Sequence, residues 1–164
     1  LLEDAQELMM LKNFMRGSAF AKFWLNSYAP YLGAGIRTTE LDLDRGIVQV
    51  EMGLNLLNRN VVGTQFGGSL YAMVDPLYML LLLHQLGEQH VVWDKAASID
   101  FIKPGRGRVK VRIELDPAEV QTIRELAADN QPVLRNYTIE ILAEDDTVVA
   151  RVDKVLYIRR KKGV

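Results

Sequence analysis

The sequence predicts an α+β fold: an antiparallel sheet wrapped around a long central helix, with extra N-terminal helices. Three observations predict it. The stretch from Gly67-Gly68 to about Leu86 is apolar on nearly every face, through Leu70, Ala72, Met73, Val74, Leu77 and the run Met79 to Leu83. A helix apolar all round in a water-soluble chain has to be enclosed by other structure. On both sides of it the apolar period changes from the helical spacing to two, as in strands. Turn signals at Asp44-Arg45-Gly46, Pro104 to Gly107 and Glu144 to Asp146 separate those strands.

Composition narrows the class. The chain has 164 residues, 49% of them hydrophobic and 25% charged, enough for one domain with a substantial core. Its 20 Lys and Arg nearly balance 21 Asp and Glu, so no global field holds a polyanion and a nucleic-acid partner is not expected. With no cysteine there is no disulfide, thiolate metal site or cysteine nucleophile. The most apolar run, Leu77 to Leu83, is far shorter than the roughly 20 residues a membrane span needs. The acidic start Leu1-Leu-Glu-Asp lacks the pattern of a signal peptide. A soluble, cytoplasmic protein without membrane association is expected.

The elements follow in order. Residues 1–28 read as helix, broken near Gly17-Ser18 and ended by Tyr28-Ala-Pro30, and residues 1–33 form a helical extension to a domain spanning 34–164. From Gly35 alternation predicts a strand, then the turn at Gly46 and a partner strand through Met52. Leu54 to Thr64 is Asn-rich and irregular. The central helix is stopped by Gly87, as a C-cap glycine would stop it. Strands follow over 91–102 and 109–115, then a short amphipathic helix from Pro117 to Ala128 and a closing hairpin over 133–143 and 148–159. An open sheet around one helix leaves edges that pair with another copy, so a homodimer at least is expected.

The chemistry starts from what is missing. His84 and His90 are the only histidines and offer no metal constellation. Gly67-Gly-Ser69 lacks the second glycine of a nucleophile elbow, and no phosphate loop or dinucleotide fingerprint is present. Catalysis here would run on a carboxylate, backbone N–H groups and amide or hydroxyl side chains, without metal or cofactor. Asp75 stands out, because it sits within the most apolar helix, immediately before Pro76. A charge there is costly unless it is bonded, and Pro76 kinks the helix beside it. The sequence leaves two readings of Asp75: a functional acid, or one bonded structurally at the kink. Gly67-Gly68 is likewise open, either as an oxyanion site at the helix start or as glycines that permit close packing. Eight residues separate Gly67 from Asp75, about 12 Å along a helix. A dimer with antiparallel central helices would bring one protomer's Gly67 near its partner's Asp75.

The stretch Asn60-Val-Val-Gly63-Thr-Gln-Phe66-Gly67-Gly68-Ser-Leu-Tyr-Ala-Met-Val-Asp75 resembles the core motif of hotdog-fold acyl-CoA thioesterases of the phenylacetate-degradation and human thioesterase-superfamily-member type. Those read Asn, a Gly-containing loop, His-Gly-Gly, and Asp nine residues after the His. Over roughly residues 34–160 the chain resembles the uncharacterised hotdog branch that includes the C-terminal thioesterase domain of the YiiD type, where Phe-Gly-Gly is an expected form. The resemblance implies that Gly67 N–H polarises a thioester carbonyl, that Asp75 is general base or nucleophile, and that Asn60 holds the water or the carbonyl. Phe66 departs from the usual His and removes a polar group. Gln65 or Thr64 would then supply a hydrogen bond. Gly68, Tyr71 and Asp94 complete the substrate-binding set. Asp94 falls where relatives carry a water-orienting Ser or Thr, although a carboxylate paired with Lys95 is the simpler reading. The acyl chain would lie along Tyr71, Met73, Tyr78 or Met79. Lys103, Arg106, Arg108 and Lys110, or Arg159 to Lys162, would meet coenzyme A phosphates. The expected substrate is an acyl-CoA or acyl-carrier-protein thioester, acted on by a homodimer or homotetramer. A non-catalytic acyl-binding or scaffold protein is the alternative, and a hydratase or dehydratase is a third for which the histidines are poorly placed.

Overall fold

The computed structural model describes residues 17–161. The first piece of the expected N-terminal helix, residues 1–16, and the end of the basic tail lie outside the described residues. The elements run α1 (Ser18–Ser27), α2 (Ala29–Ala34), β1 (Ile36–Asp42), β2 (Ile47–Met52), α3 (Gly67–Val74), α4 (Leu77–Leu86), β3 (His90–Phe101), β4 (Val109–Glu114), α5 (Pro117–Leu126), β5 (Val133–Ala143) and β6 (Val148–Arg160).

One six-stranded sheet, in the order β1-β2-β4-β5-β6-β3, is antiparallel at every pairing. Its inner face closes over α3 and α4. Leu77 and Leu81 form one fully buried stripe of α4, and Leu82 and Leu86 form a second, nearly as buried. Val50, Val111, Ile141, Val152 and Leu156 meet them in the same core from the strands. Burial on two stripes is why the segment tolerates no polar face. Gly87, at φ 77°, ends α4 in a backbone conformation that side chains resist. No helix among the described residues is long and apolar enough to cross a membrane.

The central helix is two helices. Pro76 has no N–H to give the Ala72 carbonyl, and the ladder breaks at Asp75-Pro76, where the kink was expected. The first helix ends at Ser27, just before Tyr28-Ala-Pro30 as expected, and Pro30 also stands in the first turn of a further helix, α2, where its fixed φ fits and a missing N–H costs nothing. Asn26 of α1 clamps this unit to the sheet, accepting from the Thr38 N–H at 2.7 Å and donating to the Thr38 carbonyl at 3.2 Å.

Three strand pairings carry a register shift that simple alternation does not anticipate, one of them between β5 and β6 at Ile141/Leu142. In β1 the register shifts between Thr38 and Glu40, so Leu41 turns inward with Ile36 and Thr38. In β3 it shifts between Asp94 and Ala96. Such an extra residue moves everything beyond it to the other face. As a result Asp94 and Phe101, an odd number of residues apart, both point inward.

A polar knot fastens α5. Asp116 caps the helix, accepting from the Ala118 N–H at 2.8 Å. Glu119 in its first turn accepts from Arg135 at 2.7 and 2.5 Å and from the Tyr137 hydroxyl at 2.9 Å. The Tyr137 ring stacks on Tyr78 of α4, with centroids 4.0 Å apart. The Arg135 guanidinium, helped by Tyr137, holds the Glu119 carboxyl below its usual range. A carboxylate lowered in the folded state adds stability above its unfolded pKa and loses it as pH falls through the folded value. Glu119→Gln is therefore expected to cost about 1–3 kcal/mol near neutral pH. In urea titrations at falling pH, the variant should lose less stability below its carboxylate range than the wild type does. Parallel acid profiles would sink this assignment.

Candidate active site

The loop between β2 and α3 is built by its asparagines. Asn58 donates to the carbonyls of Ala34 and Gly53 at 2.8 and 2.6 Å. The Asn60 carbonyl oxygen accepts from the N–H groups of Val62 and Thr64 at 3.1 and 3.0 Å, and its amide donates to the Thr64 hydroxyl at 2.9 Å. Gln65 is buried, and its amide donates to the carbonyls of Gly107 at 3.0 Å and Met52 at 3.4 Å. Its side chain thus ties this loop to the Pro104–Gly107 turn, and its donors are not aimed at the cleft.

The loop delivers the chain to Gly67, the first residue of α3. Phe66 is the N-cap without a side-chain cap bond, and its carbonyl accepts from Ser69 and Leu70. The N–H groups of Gly67 and Gly68 have no intrahelical carbonyl to reach, and they sit at the positive end of the helix. Close packing also asks for both glycines. A Cβ on Gly67 would lie 2.7 Å from Cζ of Phe101, and one on Gly68 would lie 2.5 Å from Cε1 of Phe66. The two rings lie against the helix start yet are 59% and 55% exposed, and Ile102, Val61 and Val62 extend an uncovered apolar rim.

A cleft of about 350 Å³ opens beside this terminus, lined by Asn60, Thr64, Gln65, Gly67, Leu70, Phe101 and Ile102. It shares Lys103, Pro104 and Gly105 with a second cleft of about 520 Å³ that runs to Arg106 and Arg108. Among the cations expected to meet phosphates, Arg108 is paired with Glu51 and Glu144, and Lys110 with Asp146. Lys103 and Arg106 stand on the cleft wall without a carboxylate in ion-pair range among the described residues. Of the residues expected to line an acyl chain, Met73 is sealed in the core and Tyr78 is covered by Tyr137.

Asp75 belongs to a different cluster, at the far end of α3. Its side chain is 49% exposed. Behind it lies Lys154 of β6, a residue that sequence reasoning passed over, with a side chain at 0% exposure. The Lys154 ammonium donates to the Asp75 carbonyl, lies 3.5 Å from the Asp75 carboxylate and pairs with Asp94 at 3.0 Å. Burial, together with the nearby Asp75 carboxylate, pushes the Tyr71 hydroxyl pKa up to about 12. Burial also pushes the Asp94 carboxyl up, Lys154 works against this, and the Asp75 charge adds to it. The expected Asp94–Lys95 pair does not form. The β3 bulge turns Asp94 inward to Lys154, while Lys95 is exposed.

Within one protomer, then, Asn60, Gln65 and Gly67 come together in one place and Tyr71, Asp75 and Asp94 in another. The signal for Lys154 was its phase: Val152, Leu156 and Ile158 are the inward positions of β6, and Lys154 lies among them.

This architecture is the hotdog fold. PA5026 of Pseudomonas aeruginosa, described as a protein of unknown function and probable thioesterase, superposes with a TM-score of 0.79 at 19% identity, over 87% of this chain and 95% of that one. Thioesterase HI1161 of Haemophilus influenzae gives 0.62 at 16% identity, over 86% and 91%. The PaaI protein of the E. coli phenylacetic acid degradation operon gives 0.55 at 19% identity, over 88% and 96%. No curated protein sequence matches the chain. Residues 17–158 match the domain of unknown function DUF4442, and the chain belongs to that family.

Proposed function

We propose that the protein is a thioesterase hydrolysing an acyl-CoA or acyl-carrier-protein thioester, with each site shared by two protomers of a homodimer. The observation that carries this reading is Asp75: a carboxylate in the midst of the most apolar helices, anchored from behind and half exposed in front. A purely structural acid at a kink would turn all its oxygens to donors.

The dimer supplies what one protomer separates. Strand β3 is a sheet edge, and the rim of Phe66, Phe101 and Ile102 is uncovered. Pairing β3 edges would set the central helices side by side and antiparallel, and would bury that rim. One protomer's Gly67 then lies across from its partner's Asp75. Water adds to the thioester carbonyl carbon while its proton passes to Asp75. The charge on the carbonyl oxygen rests on Gly67 N–H, with the dipole of α3 behind it. The C–S bond then breaks, and the departing thiolate takes up the proton. Asn60, in the cleft wall, orients the carbonyl or the water. Lys103 and Arg106 are the cations placed to meet phosphates of a coenzyme A carrier.

The test is thiol release from short, aromatic and long acyl thioesters, on CoA and on carrier protein, by wild type and Asp75→Asn. Saturable turnover lost in the variant, with its assembly intact, supports the reading. Saturable binding without turnover would favour an acyl-binding protein, a reading that Phe66 in the histidine position also suits.

A further inference from the structure

Among the described residues, Lys154 is the one fully buried charged side chain in the sealed core. It stands mid-strand in β6, between the inward-facing Val152 and Leu156. Its register partner on β3 is Ala97, whose small side chain leaves room for the lysine stem. Stability does not call for a lysine here. Removing an ammonium from water is costly, and a well-packed apolar residue usually serves a core position as well or better. What an apolar residue cannot do is grip three oxygens at once. Lys154 takes the Asp75 carbonyl, the Asp75 carboxylate and the Asp94 carboxylate, and Tyr71 lies with its ring centroid 5.8 Å away.

We propose that Lys154 is a positioning residue for the reacting carboxylate. Its ammonium holds the main chain and side chain of Asp75 together and bridges them to Asp94, fixing the orientation in which Asp75 takes a proton from water. The proposal rests on the reading of Asp75 as the base. It gives the break that Pro76 makes a use: the Asp75 carbonyl at the corner meets a side chain from the sheet. It also gives Asp94 a task, since two carboxylates sharing one ammonium keep a negative charge that is presented at the exposed side of the cluster.

The groups facing Lys154 are few. Tyr71 and Asp75 face it from the helix corner and Asp94 from β3. Its register partner on β5 is Tyr137, whose hydroxyl is committed to Glu119. Tyr31 of α2 stands beyond Asp75 and donates to the Met73 carbonyl at 3.0 Å. No second cation in ion-pair range substitutes for Lys154 among the described residues.

The experiment compares wild type, Lys154→Met and Asp94→Asn in two readouts. One is the pH profile of kcat/KM for the best thioester. The other is the titration of the Asp94 carboxyl carbon by NMR in wild type and Lys154→Met. Losing the ammonium should move the acidic limb of the profile upward by about one pH unit or more, lower kcat more than it changes KM, and raise the Asp94 midpoint. Asp94→Asn should move the limb the opposite way, because one ammonium then serves a single carboxylate. A folded Lys154→Met protein with the wild-type limb and an unmoved Asp94 midpoint overturns the proposal. If Lys154→Met does not fold, Asp94→Asn decides, and a limb that stays or rises overturns it. A wild type that hydrolyses no thioester overturns the proposed function instead, and the Asp94 titration still reads whether Lys154 couples the carboxylates.

Discussion

Exchanging Asp75 for asparagine is expected to lower kcat/KM about 10²–10⁴-fold, the usual contribution of a positioned general base. The substitution keeps the shape of the side chain, which stays beside the Tyr71 hydroxyl and the Lys154 ammonium. It removes the charge and, with it, the ability to take up a proton. With half of the side chain exposed, little folding energy rides on its charge, so the melting temperature should stay near that of the wild type. Binding should persist as well, which places the loss in kcat rather than in KM. Initial rates of thiol release over a range of substrate concentrations separate the two. A variant with wild-type kcat would remove Asp75 from the chemistry.

The largest expected change in stability comes from Leu82→Ala in α4. Leu82 is fully buried and belongs to the second of the two stripes enclosed by the sheet. Truncation gives up the transfer free energy of its branched end and leaves a cavity that a helix pinned between Pro76 and Gly87 cannot easily collapse. Large-to-small exchanges of this kind cost about 2–5 kcal/mol, against a total of about 5–15 kcal/mol for a typical domain. The urea midpoint should therefore fall substantially with an unchanged m-value. A loss below about 1 kcal/mol would mean that α4 is less tightly enclosed than its burial indicates.

Much of the fold was legible because its signals are redundant. The central segment is apolar on every face, glycines bracket it, and a single proline marks its break. The closing hairpin shows alternation on both sides of an acidic turn. The start of α2 at Ala29 went unread because proline suits the residue after a helix, the role read for Pro30, as readily as the first turn of the next. The bulges were not legible, since one extra residue leaves only a lapse in alternation that resembles ordinary irregularity. At the site, Asp75 and Gly67 stood out through an unusual neighbour or spacing, and Asn60 only through the resemblance to the thioesterase motif. Gln65 was visible as a polar group, but its partners, the carbonyls of Met52 and Gly107, belong to segments far away in the chain. Lys154 lay in the inward phase of its strand, yet lysine so seldom enters a core that phase alone did not weigh against composition.

The irregularity in β3 has a consequence for how this strand divides its labour. A strand keeps a reading frame of two, and whatever falls out of frame looks at solvent. Asp94, needed beneath the helix corner, and Phe101, needed over the helix start, are seven positions apart and so belong to opposite frames. The extra residue at Lys95 shifts the frame between them, so one strand answers to both ends of α3. Substitutions along this stretch act one side chain at a time. Its length in residues is a stricter quantity, because adding or removing a single one would turn one of those two ends inside out.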